Sequence, residues 1–266
     1  MVRMEFEELK KSVKDIIAGA QRDSRPVGLD AIASGREVET PSGRFYLIER
    51  HLSEFYDRHE EFLACYIEAL SRRVPERHQH RDFRRFLRAS REGLLYLAIE
   101  TGGTIGAPVF LIGTMFERGG SLRIQQLLAR DYSEERAIIE HLAAMMDGFD
   151  MLVTYNGKTF DIPALVERAR ANGINFRPLD EHFDLLHEAR RRWKRYLRDC
   201  KLRTIETRIR GVRRLVGEIP SEAIPRAFEN YLKTGNTAPL RDILDHNALD
   251  LLSMAHMILT MLSEMA

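Results

Sequence analysis

The stretch Leu94-Leu-Tyr-Leu-Ala-Ile-Glu-Thr-Gly-Gly103 constrains this chain more than any other. Its apolar residues run without a break from Leu94 to Ile99. A half-buried strand would alternate, so this run suits a central strand covered on both faces. Glu100 stands at the exit of the run, where a carboxylate is costly unless it is paired, hydrogen-bonded or bound to a metal. The alternative is a strand-end glutamate in solvent. Thr101, Gly102 and Gly103 then let the backbone turn sharply and leave room for something to approach.

A chain of 266 residues, 44% hydrophobic, can bury a substantial core around such a strand as one large domain, or one domain plus an extension. Lys+Arg 41 against Asp+Glu 40 names no partner through global charge. Cys65 and Cys200 lie far apart with no metal-type spacing, which points to a reducing, cytoplasmic setting. No apolar run approaches the roughly 20 residues of a membrane span, and the start lacks a signal-peptide apolar core. No membrane partner is expected.

The pattern before residue 91 predicts a mainly helical extension with one hairpin. Phe6, Leu9, Val13, Ile16 and Ile17 mark an amphipathic helix over residues 1 to 20. Pro41-Ser-Gly43 sits between two short extended runs and is a hairpin signal. Helical periodicity returns from Leu52 to Arg73, and an Arg- and His-rich connector, His78 to Arg91, follows. His78 and His80 have no Cys or acidic pair at ligand spacing and read as a solvated face.

Residues 91–266 read as the main domain. Leu94–Ile99, Pro108–Met115 and Leu122–Leu128 form three successive strands, with Gly119-Gly120 as the second turn. Ser133 is the expected N-cap of a helix carrying Ile138, Ile139, Leu142, Met145 and Met146. A fourth strand ends at Tyr155, Asp161 opens a helix, and Phe183-Asp-Leu-Leu186 is a short fifth strand. The remainder is helical. This order predicts an α/β fold: a ribonuclease H-like mixed five-stranded sheet with helices on both faces.

Three acids stand out in that layout: Glu100, Asp161 and Asp250. Strands one and four are neighbours in the expected sheet, so Glu100 and Asp161 can approach each other. His246 and Asp250, four apart on the last helix, share one face. Such a set suits hard divalent cations such as Mg²⁺ or Mn²⁺. Acids after strands are common, so spacing alone leaves a structural role open.

Leu152-Val-Thr-Tyr-Asn-Gly-Lys-Thr-Phe-Asp-Ile-Pro-Ala-Leu165 resembles the second exonuclease motif of the DEDD nucleases and, more narrowly, the YprB-type ribonuclease H-like family. Val38–Phe45, Phe183–Leu186, Arg192-Trp-Lys-Arg195 and His246-Asn-Ala-Leu-Asp250 agree with that resemblance. It implies a two-metal 3′-to-5′ exonuclease centre, with Glu100, Asp161 and Asp250 as acidic ligands and His246 orienting or deprotonating the attacking water. A His held by a carbonyl on the helix face is the other reading. The histidine subclass places its His five residues before the Asp, and the tyrosine subclass its Tyr four before. Here His246 takes the tyrosine spacing.

The family pattern Asp-x-Glu reads Ala98-Ile-Glu100 here. Ala98 replaces the acid expected to touch both metals, so the pair should bind poorly and turnover should fall by orders of magnitude. An engineered Asp-to-Ala change and a natural pseudo-nuclease are the competing origins. The otherwise intact motif favours the former.

Between Glu188 and Arg214 stand twelve Lys/Arg and three Asp/Glu. Arg190, Arg191, Arg192, Lys194, Arg195, Arg198, Lys201 and Arg203 crowd Trp193 and Tyr196, a composition that can hold phosphates and stack on bases, unless Trp193 turns to the core. By analogy with the family, Thr101, Gly102 and Gly103 would contact a 3′ terminus. Lys158, close in sequence to Asp161, is a candidate phosphate contact and reads equally as a surface lysine, and Asn156 is a further candidate for nucleic-acid contact. The expected partner is single-stranded DNA, with RNA or a catalytically dead binding module as alternatives. The first 90 residues could recruit a protein.

Overall fold

The computed structural model describes residues 28–72, 79–103, 106–209 and 219–265. The helix expected over residues 1 to 20, His78, and Arg210 to Arg214 lie outside the described residues.

Seven strands form one mixed sheet: β1 (Gly35–Thr40), β2 (Gly43–Arg50), β3 (Leu94–Thr101), β4 (Val109–Arg118), β5 (Ser121–Leu128), β6 (Met151–Thr154) and β7 (His182–Asp184). Their order across the sheet is β1-β2-β5-β4-β3-β6-β7. β3, β4 and β5 make the expected antiparallel meander, while β6 and β7 run parallel to β3.

All five expected strands are present, and the N-terminal hairpin adds two, because β2 pairs with β5. The reason lies in β2 itself. Phe45, Tyr46, Leu47 and Ile48 are all buried, on both faces, and a strand buried on both sides needs sheet neighbours to satisfy its backbone. β5, conversely, would present an unpaired edge without β2.

Besides a single turn at Leu29–Ile32 and short 3-10 turns, the helices among the described residues are α1 (His59–Ser71), α2 (Arg81–Arg88), α3 (Glu135–Met146), α4 (Asp161–Ala171), α5 (Leu185–Trp193), α6 (Leu202–Arg208), α7 (Ile224–Thr234) and α8 (Ala238–Ser263). α2 falls inside the expected connector, and the His80 ring accepts from the Asp82 amide at its start. The turn leading into α3 is capped by Asp131, not Ser133, because the Asp131 carboxylate takes the Ser133 amide.

Alternation along β3 divides the core. Leu95, Leu97 and Ile99 pack with Ile138, Leu142, Leu165 and Phe228 from α3, α4 and α7. Leu94, Tyr96 and Ala98 face the other way, toward Tyr66, Trp193, Leu251 and Ala255. α8 serves both layers: Leu240, Ile243 and Leu244 join the first, Leu251 to Leu262 the second. Its middle, where His246 and Asp250 sit, is therefore placed where the two layers meet.

Candidate active site

A fork between two strands creates the site. β6 pairs with β3 only from Leu94 to Tyr96, and the chain then leaves through Tyr155–Phe160. Beyond Tyr96 that side of β3 has no strand partner. The Ile99 amide instead donates to Asp161 Oδ1 at 3.1 Å. Asp161, the first residue of α4, is buried. Its carboxylate takes the place of a strand in the crevice beyond the carboxyl ends of parallel strands.

The segment that delivers Asp161 is held by Asp184. Asp184 lies at the end of β7 and is buried. Its Oδ1 accepts the amides of Asn156 (2.8 Å) and Leu186 (3.0 Å), and its Oδ2 accepts the amide of Lys158 (3.1 Å). It thus caps α5 and clips the Asn156–Lys158 turn, in which Asn156 adopts a left-handed φ of 66°. Sequence reasoning assigned Phe183–Leu186 only to a strand. An Asp directly before a helical run was the cap signal.

α8 reaches β3 through a cross-strand seat. Ala98, Gly113 and Gln126 are neighbours in register on β3, β4 and β5. Asn247 sits over this row. Its Nδ2 donates to the Ala98 carbonyl at 3.1 Å, and its Oδ1 accepts from Gln126 Nε2 at 3.1 Å. Gln126 Nε2 also donates to the Leu244 carbonyl at 2.8 Å. These bonds fix the rotation of α8, and with it His246 and Asp250. His246 Nε2 lies 3.6 Å from Asp250 Oδ2 and 3.3 Å from Ser221 Oγ.

Burial dominates the electrostatics of two of the acids. Burial pushes the Glu100 carboxyl up to about 8; the His246 imidazole opposes this, Asp250 and Asp161 add to it, and a hydrogen bond with Asn247 lowers it. Burial likewise pushes Asp161 up to about 7, against the amides of Ile99 and its own residue, with Asp184 and Asp250 raising it further. Ala98 and Glu100, two apart on β3, face the same side. A carboxylate at position 98 would join this group.

The oxygen donors have the right hardness for a divalent cation, and their mutual repulsion would favour one. Yet among the described residues no three His, Cys, Asp or Glu side chains converge closely enough to hold a metal. The methyl group of Ala98 supplies no donor, and the side chains present do not fit a metal pair.

The residues expected to contact nucleic acid divide into three kinds. Lys194 and Arg195 are exposed. Thr101, Gly102 and Gly103 turn as expected, but two of their amides are engaged internally, Gly102 with the Pro108 carbonyl and Gly103 with Thr101 Oγ1. The turn packs on α7, for a β-carbon on Gly103 would stand 2.8 Å from Pro225 Cγ. Lys158 approaches Asp82 at 3.9 Å.

Trp193 and Arg192 are corrections. Trp193 is buried and donates from Nε1 to Glu264 Oε1 at 3.3 Å, so its ring cannot stack on a base. Leu186, Ala189 and Trp193 follow helical spacing along the inner stripe of α5, which was the signal for a core position. Arg192 is drawn inward with it. It bonds Glu188 and Glu264 and lies over the Phe83 ring at 4.9 Å. Tyr196, the other aromatic ring of the basic stretch, is exposed, as is Phe160, immediately before Asp161.

The family model of the RNase H superfamily matches residues 95–262, and the chain belongs to that superfamily. Within it the chain is of YprB type. It is 33% identical over 184 residues to YprB of Bacillus subtilis (strain 168), across 66% of this chain and 44% of that protein. The chain thus spans less than half the length of that relative. Among solved structures it is similar to the family B DNA polymerase of the hyperthermophilic archaeon Pyrobaculum calidifontis. That likeness has a TM-score of 0.47 and 19% identity, over 62% of this chain and 24% of that one. Among the described residues no helix is long and apolar enough to cross a membrane.

Proposed function

We propose that the chain is the scaffold of a metal-dependent 3′-to-5′ exonuclease for single-stranded DNA, with its reaction held off by Ala98. The geometry at the exit of β3 carries this reading: the Asp161 carboxylate takes the Ile99 amide next to Glu100, and Asn247 fastens α8, three residues before Asp250, to the Ala98 carbonyl. The elements that bear these acids, separated by about 150 positions, come together at β3, while among the described residues their side chains do not close on one metal position. In this class divalent ions activate water and stabilise the leaving oxygen at phosphorus. The chain's own part is to hold Asp161 in the fork beside β3 and to set His246 beside Asp250 as a proton acceptor. The exposed Phe160 ring offers a base a stacking surface beside Asp161.

A nucleic-acid-binding module without chemistry is the second reading, and Ala98 is the observation that favours it. One experiment separates the two. The protein and its Ala98→Asp variant are incubated side by side with 3′- and 5′-labelled DNA and RNA oligomers in Mg²⁺ or Mn²⁺. The expected result is release of mononucleotides from the 3′ end, at least about 100-fold faster for Ala98→Asp. A folded Ala98→Asp protein that binds the oligomers and leaves them intact returns the chain to the binding module. Faster turnover of RNA than of DNA would reassign the substrate within the same chemistry.

A further inference from the structure

The corner between α5 and α6 carries a cluster of exposed positive charge. Arg190, Lys194, Arg195, Arg198 and Lys201 are all exposed, and none has an ion pair among the described residues. The acids of this region are occupied elsewhere. Glu188 is buried and bonds Arg191 and Arg192. Asp199 accepts from Thr204 Oγ1 at 2.6 Å and from the Lys201 amide at 3.0 Å, at the start of α6. In the middle of the corner Tyr196 leaves 75% of its surface to solvent. The Tyr196 ring is thus presented to solvent among exposed cations.

This corner is fastened to the cleft at two points. The Tyr155 hydroxyl donates to the Cys200 carbonyl, and Tyr155 immediately precedes the turn that delivers Asp161. Ser253 Oγ donates to Glu206 Oε1, and Ser253 stands less than one turn beyond Asp250 on α8. The basic corner is therefore carried by the same two elements that carry Asp161 and Asp250.

We infer that Tyr196, with Arg190, Lys194, Arg195, Arg198 and Lys201, forms a ledge that binds single-stranded nucleic acid leading toward the cleft. The cations take the phosphates without reading sequence, and Tyr196 stacks on a base. This rests on the nucleic-acid substrate proposed above and goes beyond the cleft itself. It replaces Trp193 by Tyr196 as the stacking residue and makes affinity grow with strand length.

Binding needs no turnover, so the test uses the protein as it stands, with Ala98. Fluorescence anisotropy is measured with labelled oligothymidylates of increasing length over a salt series. Three proteins are compared with the parent: Tyr196→Ala, the double variant Lys194→Gln/Arg195→Gln, and Lys233→Gln as a control on α7. Tyr196→Ala is expected to raise Kd by roughly 5- to 100-fold. The double variant should flatten the slope of log K against log salt by about 1.4, or about 0.7 per lost phosphate contact. Lys233→Gln should behave as the parent. Equal affinity and slope in all four proteins overturns the ledge, as does a parent that binds anionic vesicles and no oligonucleotide. An Ala98→Asp protein without nuclease activity, beside ledge variants that lose binding, removes the exonuclease reading and leaves the ledge standing.

Discussion

A β-carbon added at Gly113 would stand 1.9 Å from Asn247 Oδ1 and 2.8 Å from its Cγ. Asn247 cannot swing aside cheaply, because it is fully buried and bonded at both ends to Gln126 and Ala98. Gly113→Ala is therefore expected to destabilise the protein by about 1–3 kcal/mol in urea unfolding. The double variant Gly113→Ala/Asn247→Ala should lose clearly less than the sum of the two single variants, since the clash disappears with the amide. Additive losses would mean that Gly113 acts through something other than Asn247. This seat could not be read from the chain. Ala98, Gly113, Gln126 and Asn247 are scattered over three strands and a helix, and only the strand register aligns them. Asp161 was legible because its motif is local.

At the scale of elements, β7, the Tyr155–Phe160 turn and α5 are joined by one carboxylate. Asp184 accepts three amides from a buried position. Its loss leaves those donors without partners, and each unpaired buried donor costs about 1–3 kcal/mol before the turn relaxes. Asp184→Ala should thus cost on the order of 3 kcal/mol in stability. In an Ala98→Asp background it should also slow turnover, because the turn that delivers Asp161 loses its clip. A variant as stable as its parent would show that the Asn156 turn is held by other contacts. The strands and helices around this joint were legible from their hydrophobic periods. The exposed partner of α5 was not, because an Arg-rich run hides which residues face inward. Only the Leu186, Ala189 and Trp193 stripe distinguishes the buried indole from the exposed Tyr196 phenol.

Over the whole molecule, the N-terminal hairpin decides how much of the chain is one unit. The sequence suggests a boundary near residue 90, because hairpin and helix signals there carry no trace of the strand they will meet. β2 nevertheless continues the sheet beside β5, and further ties run across the boundary. Arg50 Nη2 bonds Asp245 Oδ1 at 2.9 Å, Tyr56 Oη and His256 Nε2 are 2.8 Å apart, and the Tyr66 hydroxyl donates to that of Tyr96 at 2.9 Å. Phe83 and Phe86 also pack on Phe183 of β7, at centroid distances of 5.7 and 4.7 Å. Two of these ties land on α8, the helix that carries His246 and Asp250. A fragment of residues 91–266 would bare the edge of β5 and the apolar surfaces that cover Phe45 to Ile48, Tyr66 and Phe86. Unpaired edges with apolar faces self-associate. The fragment is therefore expected to run as oligomers in size-exclusion chromatography and to lack the cooperative thermal transition of the full chain. A monomeric fragment melting within a few degrees of the full chain would place the boundary at residue 90 after all. It would also mean that α8 keeps its position over β3 through the Asn247 seat alone.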